Sequence, residues 1–337
     1  MKKYNLCVFI GRMEPPTIAH INNIKKAAEV ADRVLVLFGS AEQPRTMKNP
    51  FLVDERAEMV SAALGPEYAD RVQMKGIRDH MYNNTKWAEE VQIAVDSGLS
   101  FNDKVAIIGH RKDSSSFYLD MFPQWDYVEA DFIENVSATD IRDEYFGMGV
   151  TNNPTIPVEV QQYLTNFMQT KANEYYRLVR EWKYIKKYKL SWESAPYPVN
   201  LVCVDACVIK SGHILMVRRK SEPGEGLIAL PGGYLNVDET LQEAVIRELR
   251  EETKLKVPSP VLIGSIKAKE MFDHPNRSLR GRVLTMTYLF DLGVGALDKV
   301  KGGDDASHAF WVALNDLDSK TIFEDHHDII GSMVGRL

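Results

Sequence analysis

The chain has 337 residues, 45% of them hydrophobic and 26% charged, enough for two globular cores of roughly 150 residues each and too many for one ordinary core. Its formal net charge of −6 speaks against nonspecific binding to polyanions such as nucleic acid. No apolar run approaches the ~20 residues that span a bilayer, so no membrane segment is expected.

The opening Met1-Lys2-Lys3-Tyr4-Asn5 runs into a short strand without the apolar stretch of a signal peptide. Cys7, Cys203 and Cys207 stand in apolar, strand-like runs with no ligand spacing and read as reduced core residues of a cytoplasmic protein. Leu6 to Ile10 reads as a buried strand, followed by a Gly/Pro turn and a helix from about Ile18 to Val30. Arg33 to Phe38 is a second strand, 54–64 a helix, Val72 to Ile77 a strand and Thr85 to Val95 a helix. Val105 to Ile108 is a strand, and 138–145 closes this half with a helix. Strands alternating with helices imply a doubly wound parallel sheet over residues 1–150. Such sheets bind ligands beyond the carboxyl ends of their strands.

Residues 151–194 change character. Asn152-Asn153-Pro154 and Pro157 break the pattern, and a long polar helix from about Val158 to Tyr188 follows, a candidate linker, homo-oligomer interface or both. Ser194-Ala195-Pro196-Tyr197-Pro198 is a stiff connector. From there, strands at 199–209, 213–218, 261–270 and 282–291 surround one strong helix at 240–253, an α+β domain over 195–337.

In the first half, Gly11-Arg12-Met13-Glu14-Pro15-Pro16-Thr17-Ile18-Ala19-His20 follows the first strand and opens a helix. Thr17 and His20 share its first turn, where free N–H groups and the helix dipole attract phosphate. An N-cap threonine beside a bystander histidine explains the pair equally well. Ser137-Ala138-Thr139-Asp140-Ile141-Arg142 starts another helix with hydroxyls and an arginine, either a phosphate clamp or a simple serine cap. No G-x-G-x-x-G follows the strand, which argues against a dinucleotide-dependent dehydrogenase. Together the two segments resemble nucleotidyltransferases with T/H-x-G-H and S-x-T-x-x-R motifs. Gly39-Ser40-Ala41, Lys48-Asn49-Pro50-Phe51, Glu55-Arg56, Arg78-Asp79, Trp87 and Gly109-His110-Arg111-Lys112-Asp113 narrow the resemblance. They look like the nicotinamide mononucleotide (NMN) adenylyltransferases of bifunctional prokaryotic type, whose Rossmann-like domain precedes a Nudix domain.

That resemblance implies adenylyl transfer from ATP to NMN, giving NAD and pyrophosphate. It makes His20 the group that stabilises the transition state. Arg12, Thr17, Lys48, Ser137, Thr139 and Arg142 would hold the phosphates. Trp87 would stack on the nicotinamide ring, unless it is a core tryptophan. The chain departs from the family at Met13, Glu14, Pro16, Thr17 and Ala19; Glu14 adds a negative charge near the expected phosphate path, and Ala19 replaces a glycine.

In the second half, Gly232-Gly233 leads through Glu239 to a helix ending Arg247-Glu248-Leu249-Arg250-Glu251-Glu252. Glu248, Glu251 and Glu252 fall at i, i+3 and i+4 on one face, interrupting a stripe that is apolar at Leu241, Ala244, Val245 and Leu255. Crowded carboxylates repel one another, and a hard divalent cation, Mg²⁺ or Mn²⁺, relieves that cost. The spacing matches the Nudix box. The resemblance covers about residues 195–337 and implies Glu248, Glu251 and Glu252 as metal ligands, the latter two also as catalytic residues. It pairs Arg247 with Glu239 and gives Gly233 a tight turn. The family's helix-capping glycine is Lys254 here. Arg277, Arg280 and Arg282 suit a diphosphate, or else form a basic surface loop. With Phe272-Asp273-His274-Pro275 they resemble the enzymes that cleave ADP-ribose to AMP and ribose 5-phosphate. Gly303-Asp304-Asp305-Ala306 and Phe323-Glu324-Asp325-His326 echo that subgroup and leave open which acid is a general base or extra ligand.

Overall fold

The computed structural model describes residues 2–100, 102–111, 114–131, 133, 136–303 and 306–337, with the side chains of 114–116 set aside. The chain divides into two compact units, Met1–Trp182 and Lys183–Leu337.

The first unit is built on β1 (Tyr4–Gly11), α1 (Ile18–Val30), β2 (Ala31–Ala41), α2 (Val53–Leu64), β3 (Val72–Arg78), α3 (Asn84–Asp96), β4 (Val105–Gly109), β5 (Asp126–Glu129) and α4 (Ala138–Met148). The strands pair in parallel in the order β3-β2-β1-β4-β5. β1 is buried on both faces: Cys7 and Phe9 point into one apolar cluster and Leu6 and Val8 into the other. That is why it reads as an uninterrupted apolar run rather than an alternating one. On α1, Ile21, Ile24, Ala27 and Ala28 form the buried stripe that packs on the sheet. β5 escaped the sequence pattern because it is a short, half-exposed edge strand with no apolar signature.

The single long helix expected at 158–188 is two, α5 (Val158–Thr170) and α6 (Ala172–Leu190). Lys171 leaves the helical backbone between them, and its ammonium pairs with Glu55. Val160, Leu164, Phe167, Tyr175 and Leu178 pack with Phe51, Ile141 and Tyr145. Residues up to Trp182 therefore pack with the first unit, and the division between the two units falls inside α6. The amphipathic stripe of these helices is what buries them.

The second unit comprises β6 (Asn200–Lys210), β7 (His213–Arg219), β8 (Ile228–Ala229), β9 (Gly232–Tyr234), α7 (Leu241–Thr253), α8 (Ser259–Gly264), β10 (Ile266–Phe272), β11 (Arg282–Asp291), β12 (Ala306–Ala313) and α9 (His326–Val334). Its mixed sheet runs β10-β11-β6-β7-β12, with β8 on β7 and β9 on β6. β6 and β11 are parallel, and β10–β11, β6–β7 and β7–β12 are antiparallel. α7 lays Ala244, Val245 and Leu249 against Val204, Ala206 and Tyr288. The strand expected at 261–270 starts later, because residues 259–264 form α8; a short aliphatic run has the same pattern in a buried helix turn and a buried strand. No helix among the described residues is long and apolar enough to cross a membrane.

Candidate active sites

In the first unit the chain moves from β1 outward to β2 and β3, then returns to place β4 on the other side of β1. The crevice of such a sheet opens at this reversal, beyond the ends of β1 and β4. Residues 11–17 and 109–111 lie there.

Thr17 is the N-cap of α1. Its backbone N–H donates to His20 Nδ1 at 3.0 Å, and its hydroxyl lies 2.8 Å from the same nitrogen. A backbone N–H can only donate, so Nδ1 is the acceptor and the neutral ring carries its proton on Nε2. Burial pushes the imidazole pKa down to about 4, which keeps this tautomer neutral. A Cβ on Gly11 would stand 3.9 Å from His20 Cδ2, so the ring sits against the end of β1.

The two motifs of this half meet. Arg142 Nη1 donates to the Glu14 carbonyl at 2.6 Å, and Nη2 to Thr139 Oγ1 at 3.2 Å. Ser137 caps α4 by accepting from the Asp140 N–H. Arg142 is buried and its Nε has no partner; burial lowers its pKa to about 10, with Arg12 adding to the effect. Arg12 is exposed at the turn. Lys48 lies in the loop between β2 and α2. Trp87, on α3, is half-buried against Tyr118 and Phe122, with both ring centroids 6.1 Å away, in the apolar cluster of the opposite face. Lys112 and Asp113 lie outside the described residues.

Glu14 does not project along the opening. It is buried, accepts from the Phe51 N–H at 3.1 Å and lies 3.3 Å from Arg56 Nε. Arg56 Nη1 in turn donates to the carbonyls of Arg12 and Gly39, both at 2.7 Å. Burial raises the Glu14 carboxyl to about 8, Arg56 opposing the shift without overcoming it. A carboxyl raised in the folded state binds a proton that the unfolded chain has released, so stability falls as pH climbs from the ordinary carboxylate range to about 8. Glu14→Gln, neutral throughout, is expected to flatten that part of the stability curve, checked by thermal unfolding between pH 5 and 9.

In the second unit Glu248, Glu251 and Glu252 share one face of α7. Arg247 Nη1 donates to Glu248 at 2.7 Å and to Glu251 at 2.9 Å, while its Nε and Nη2 grip Glu239 at 2.8 and 2.6 Å. The hydrogen bonds from Arg247 hold Glu239 down at about 2. Glu252 is buried and accepts from the Gly232 N–H at 3.0 Å. Burial pushes its pKa up to about 8 and also raises that of Glu248, each reinforced by neighbouring carboxylates. Gly233 is needed for close approach rather than for a turn: it lies in β9, and a Cβ there would sit 2.4 Å from Glu248 Oε1. At Gly232 a Cβ would come 2.2 Å from the Val204 carbonyl.

Among the described residues no three Asp, Glu, His or Cys side chains already surround a common metal position; Arg247 bridges Glu248 and Glu251 instead. The donor set nevertheless fits a hard divalent cation: oxygen ligands only, two of them destabilised as bare anions, and a glycine cradle that admits Glu248.

α7 ends where expected despite Lys254, which adopts the left-handed conformation (φ 52°) and donates its N–H to the Arg250 carbonyl at 2.9 Å. Lys301 and Gly303 N–H groups satisfy the Thr253 and Glu252 carbonyls. Lys254→Gly is expected to stabilise the second unit by about 1 kcal/mol, since only glycine takes this conformation without cost; urea unfolding checks it.

Beside the box lies a cavity of about 360 Å³, lined among others by Glu248, Glu252, Asp205, Arg219, Arg277 and Arg280. Arg277 is locked into a bidentate pair with Asp325 at 2.8 and 2.9 Å. Arg280 donates to Ser278 Oγ and the Tyr234 hydroxyl, both at 3.1 Å, and lies 3.5 Å from Glu324 Oε2. Arg282 is not among the lining residues and is tied to Asp273. Arg219 joins the wall instead, over the Phe323 ring at 3.9 Å. Glu324 and Asp325 are thus both engaged by arginine, and Asp304 and Asp305 lie outside the described residues. Asp205 accepts from Thr285 Oγ1 at 2.6 Å. A lone acid inside the apolar run 201–209 was the available signal for it. Tyr184 and Tyr188 close the cavity from α6; nothing in their local pattern marked them.

A cytidylyltransferase-like family model matches residues 8–144, and the NUDIX domain model matches 199–331. The nicotinamide/nicotinic acid mononucleotide adenylyltransferase of Acinetobacter baylyi is 37% identical over 171 residues, covering 50% of this chain and 90% of that protein. The ADP-ribose pyrophosphatase of Methanocaldococcus jannaschii is 38% identical over 146 residues, covering 43% and 76%. A crystal structure of a bifunctional NMN adenylyltransferase/ADP ribose pyrophosphatase from Francisella tularensis, complexed with AMP and a manganese ion, superposes with a TM-score of 0.91 at 35% identity. That match covers 98% of this chain and 99% of the other. With both halves matched in the same order along one chain, this protein belongs to the family of bifunctional NMN adenylyltransferase/ADP-ribose pyrophosphatases.

Proposed function

We propose that the first unit transfers the adenylyl group of ATP to NMN and that the second hydrolyses ADP-ribose. The observation that carries this reading is the near-complete match to the Francisella protein, together with a retained glutamate box. In the first reaction the 5′-phosphate of NMN attacks the α-phosphorus of ATP, the bond to the β-phosphate breaks, and NAD and pyrophosphate form. The nucleophile is already ionised, so the protein's work is positioning and charge stabilisation. His20 donates from Nε2 to the oxygen that gains charge, with its ring held by Thr17. Arg12, Lys48 and the hydroxyls of Ser137 and Thr139 hold phosphate, and Arg142 joins the α4 start to the loop after β1. Trp87 is assigned to the nicotinamide end.

In the second reaction water attacks a phosphorus of ADP-ribose, the P–O–P bond breaks, and AMP and ribose 5-phosphate leave. Glu248, Glu251 and Glu252 would hold Mg²⁺ or Mn²⁺, which supplies Lewis acidity and lowers the pKa of water. Arg280 and Arg219 face the diphosphate, and Arg277 braces Asp325 behind them. The three buried, unpaired cysteines suit a reducing, cytoplasmic setting. ³¹P NMR of the chain with Mg²⁺, ATP and NMN should show NAD and pyrophosphate, and with ADP-ribose the two monophosphates. Turnover of other phosphate esters in preference to NMN, or of other dinucleotides in preference to ADP-ribose, would overturn the assignment.

A further inference from the structure

One acid in the second unit's cavity has no place in the reaction above. Glu222 lies in the turn between β7 and β8 and lines the same cavity as Glu248, Glu252 and Arg280. Both of its carboxylate oxygens are shielded from solvent, and neither has a hydrogen-bond partner. The arginines that line the cavity have other partners, and Lys220 also lines it. Arg219 Nε donates to the Pro223 carbonyl at 2.9 Å, Arg277 to Asp325, and Arg280 to Ser278 and Tyr234. A shielded carboxylate without donors is costly, and a ligand that enters the cavity with donors of its own would relieve that cost.

The chemistry of the ligand narrows which donors these are. A diphosphate carries acceptors only and is drawn to arginines and a cation. The donors of a nucleoside diphosphate sugar are its ribose hydroxyls and the amine of its base. Two carboxylate oxygens side by side match two vicinal hydroxyls, satisfying both orphans at once, whereas a base amine leaves one unmet.

We propose that Glu222 is the ribose-recognition residue of this cavity, its carboxylate accepting hydrogen bonds from a vicinal diol of the substrate. This rests on the hydrolase reading and deepens it. The test compares wild type, Glu222→Gln and Glu222→Ala on ADP-ribose and on analogues lacking one hydroxyl of either ribose. Thermal unfolding verifies that each variant is folded. Glu222→Gln should raise KM for ADP-ribose about 10- to 100-fold with kcat little changed. Wild type should discriminate against one deoxy analogue, and the variant should not. Mn²⁺ affinity, read by electron paramagnetic resonance, should stay the same.

A large fall in kcat at constant KM would make Glu222 a base instead. Weakened Mn²⁺ binding would make it a metal ligand, and undiminished discrimination against every deoxy analogue would remove it from ribose recognition. Each of these overturns the proposal. Calorimetric binding of ADP-ribose gives the same comparison without turnover. A wild-type chain that binds but does not cleave would defeat the hydrolase reading and still decide the role of Glu222.

Discussion

Replacing Glu252 by glutamine is expected to lower ADP-ribose hydrolysis by about 100- to 1,000-fold, measured as AMP release, while leaving NAD formation unchanged. The substitution is nearly isosteric, and the amide oxygen can still accept the Gly232 N–H, so the loop before α7 keeps its anchor. What disappears is the anionic charge that would face a cation. The same change separates stability from activity. Burial and the neighbouring Glu248 and Asp205 raise the Glu252 carboxyl to about 8, so the free protein loses stability as pH rises toward that value. A neutral amide removes the loss, and the metal-free variant should unfold no earlier than wild type at pH 7. A variant that is both stable and fully active would show that the box holds its cation without Glu252.

His20→Ala is expected to slow NAD and pyrophosphate formation by about 100- to 1,000-fold, the usual cost of removing one donor aimed at developing charge. ADP-ribose hydrolysis serves as the internal control. Because the histidine also accepts the Thr17 N–H at the start of α1, alanine should cost about 1 kcal/mol of stability as well. Thr17→Val keeps that backbone donor and should lose far less activity than His20→Ala. The low imidazole pKa, about 4, sets the sign of the pH dependence: the ring remains neutral above that value. Lowering pH from 7 to 5 should therefore cost no rate through His20, as a pH profile would reveal. Equal turnover by wild type and His20→Ala would remove the residue from the reaction.

Much of this was legible along the chain because it depends on neighbours a few residues apart. β1, β2 and β4 announce themselves as apolar runs since both of their faces are covered. Glu248, Glu251 and Glu252 must share a face once residues 241–253 are helical, whatever surrounds them. The Arg247–Glu239 pair came from the resemblance to the Nudix box, and the structure forms it. The start of the strand expected at 261–270 was misread because the short aliphatic run Val261-Leu262-Ile263 does not distinguish a helical turn from a strand.

Only the folded chain could decide the rest. Glu14 was expected to add charge along the phosphate path; packing against Arg56 and the Phe51 N–H instead buries it and favours its protonated form. Arg142 meets the Glu14 carbonyl across 128 residues. Arg219 rather than Arg282 lines the hydrolase cavity, and Tyr188 and Glu222 reach it from segments with no shared pattern. Periodicity reports which side of its own element a residue occupies, because backbone geometry repeats every two or 3.6 residues. Which distant side chains then meet, and which are left without partners, depends on how the strands cross and pack.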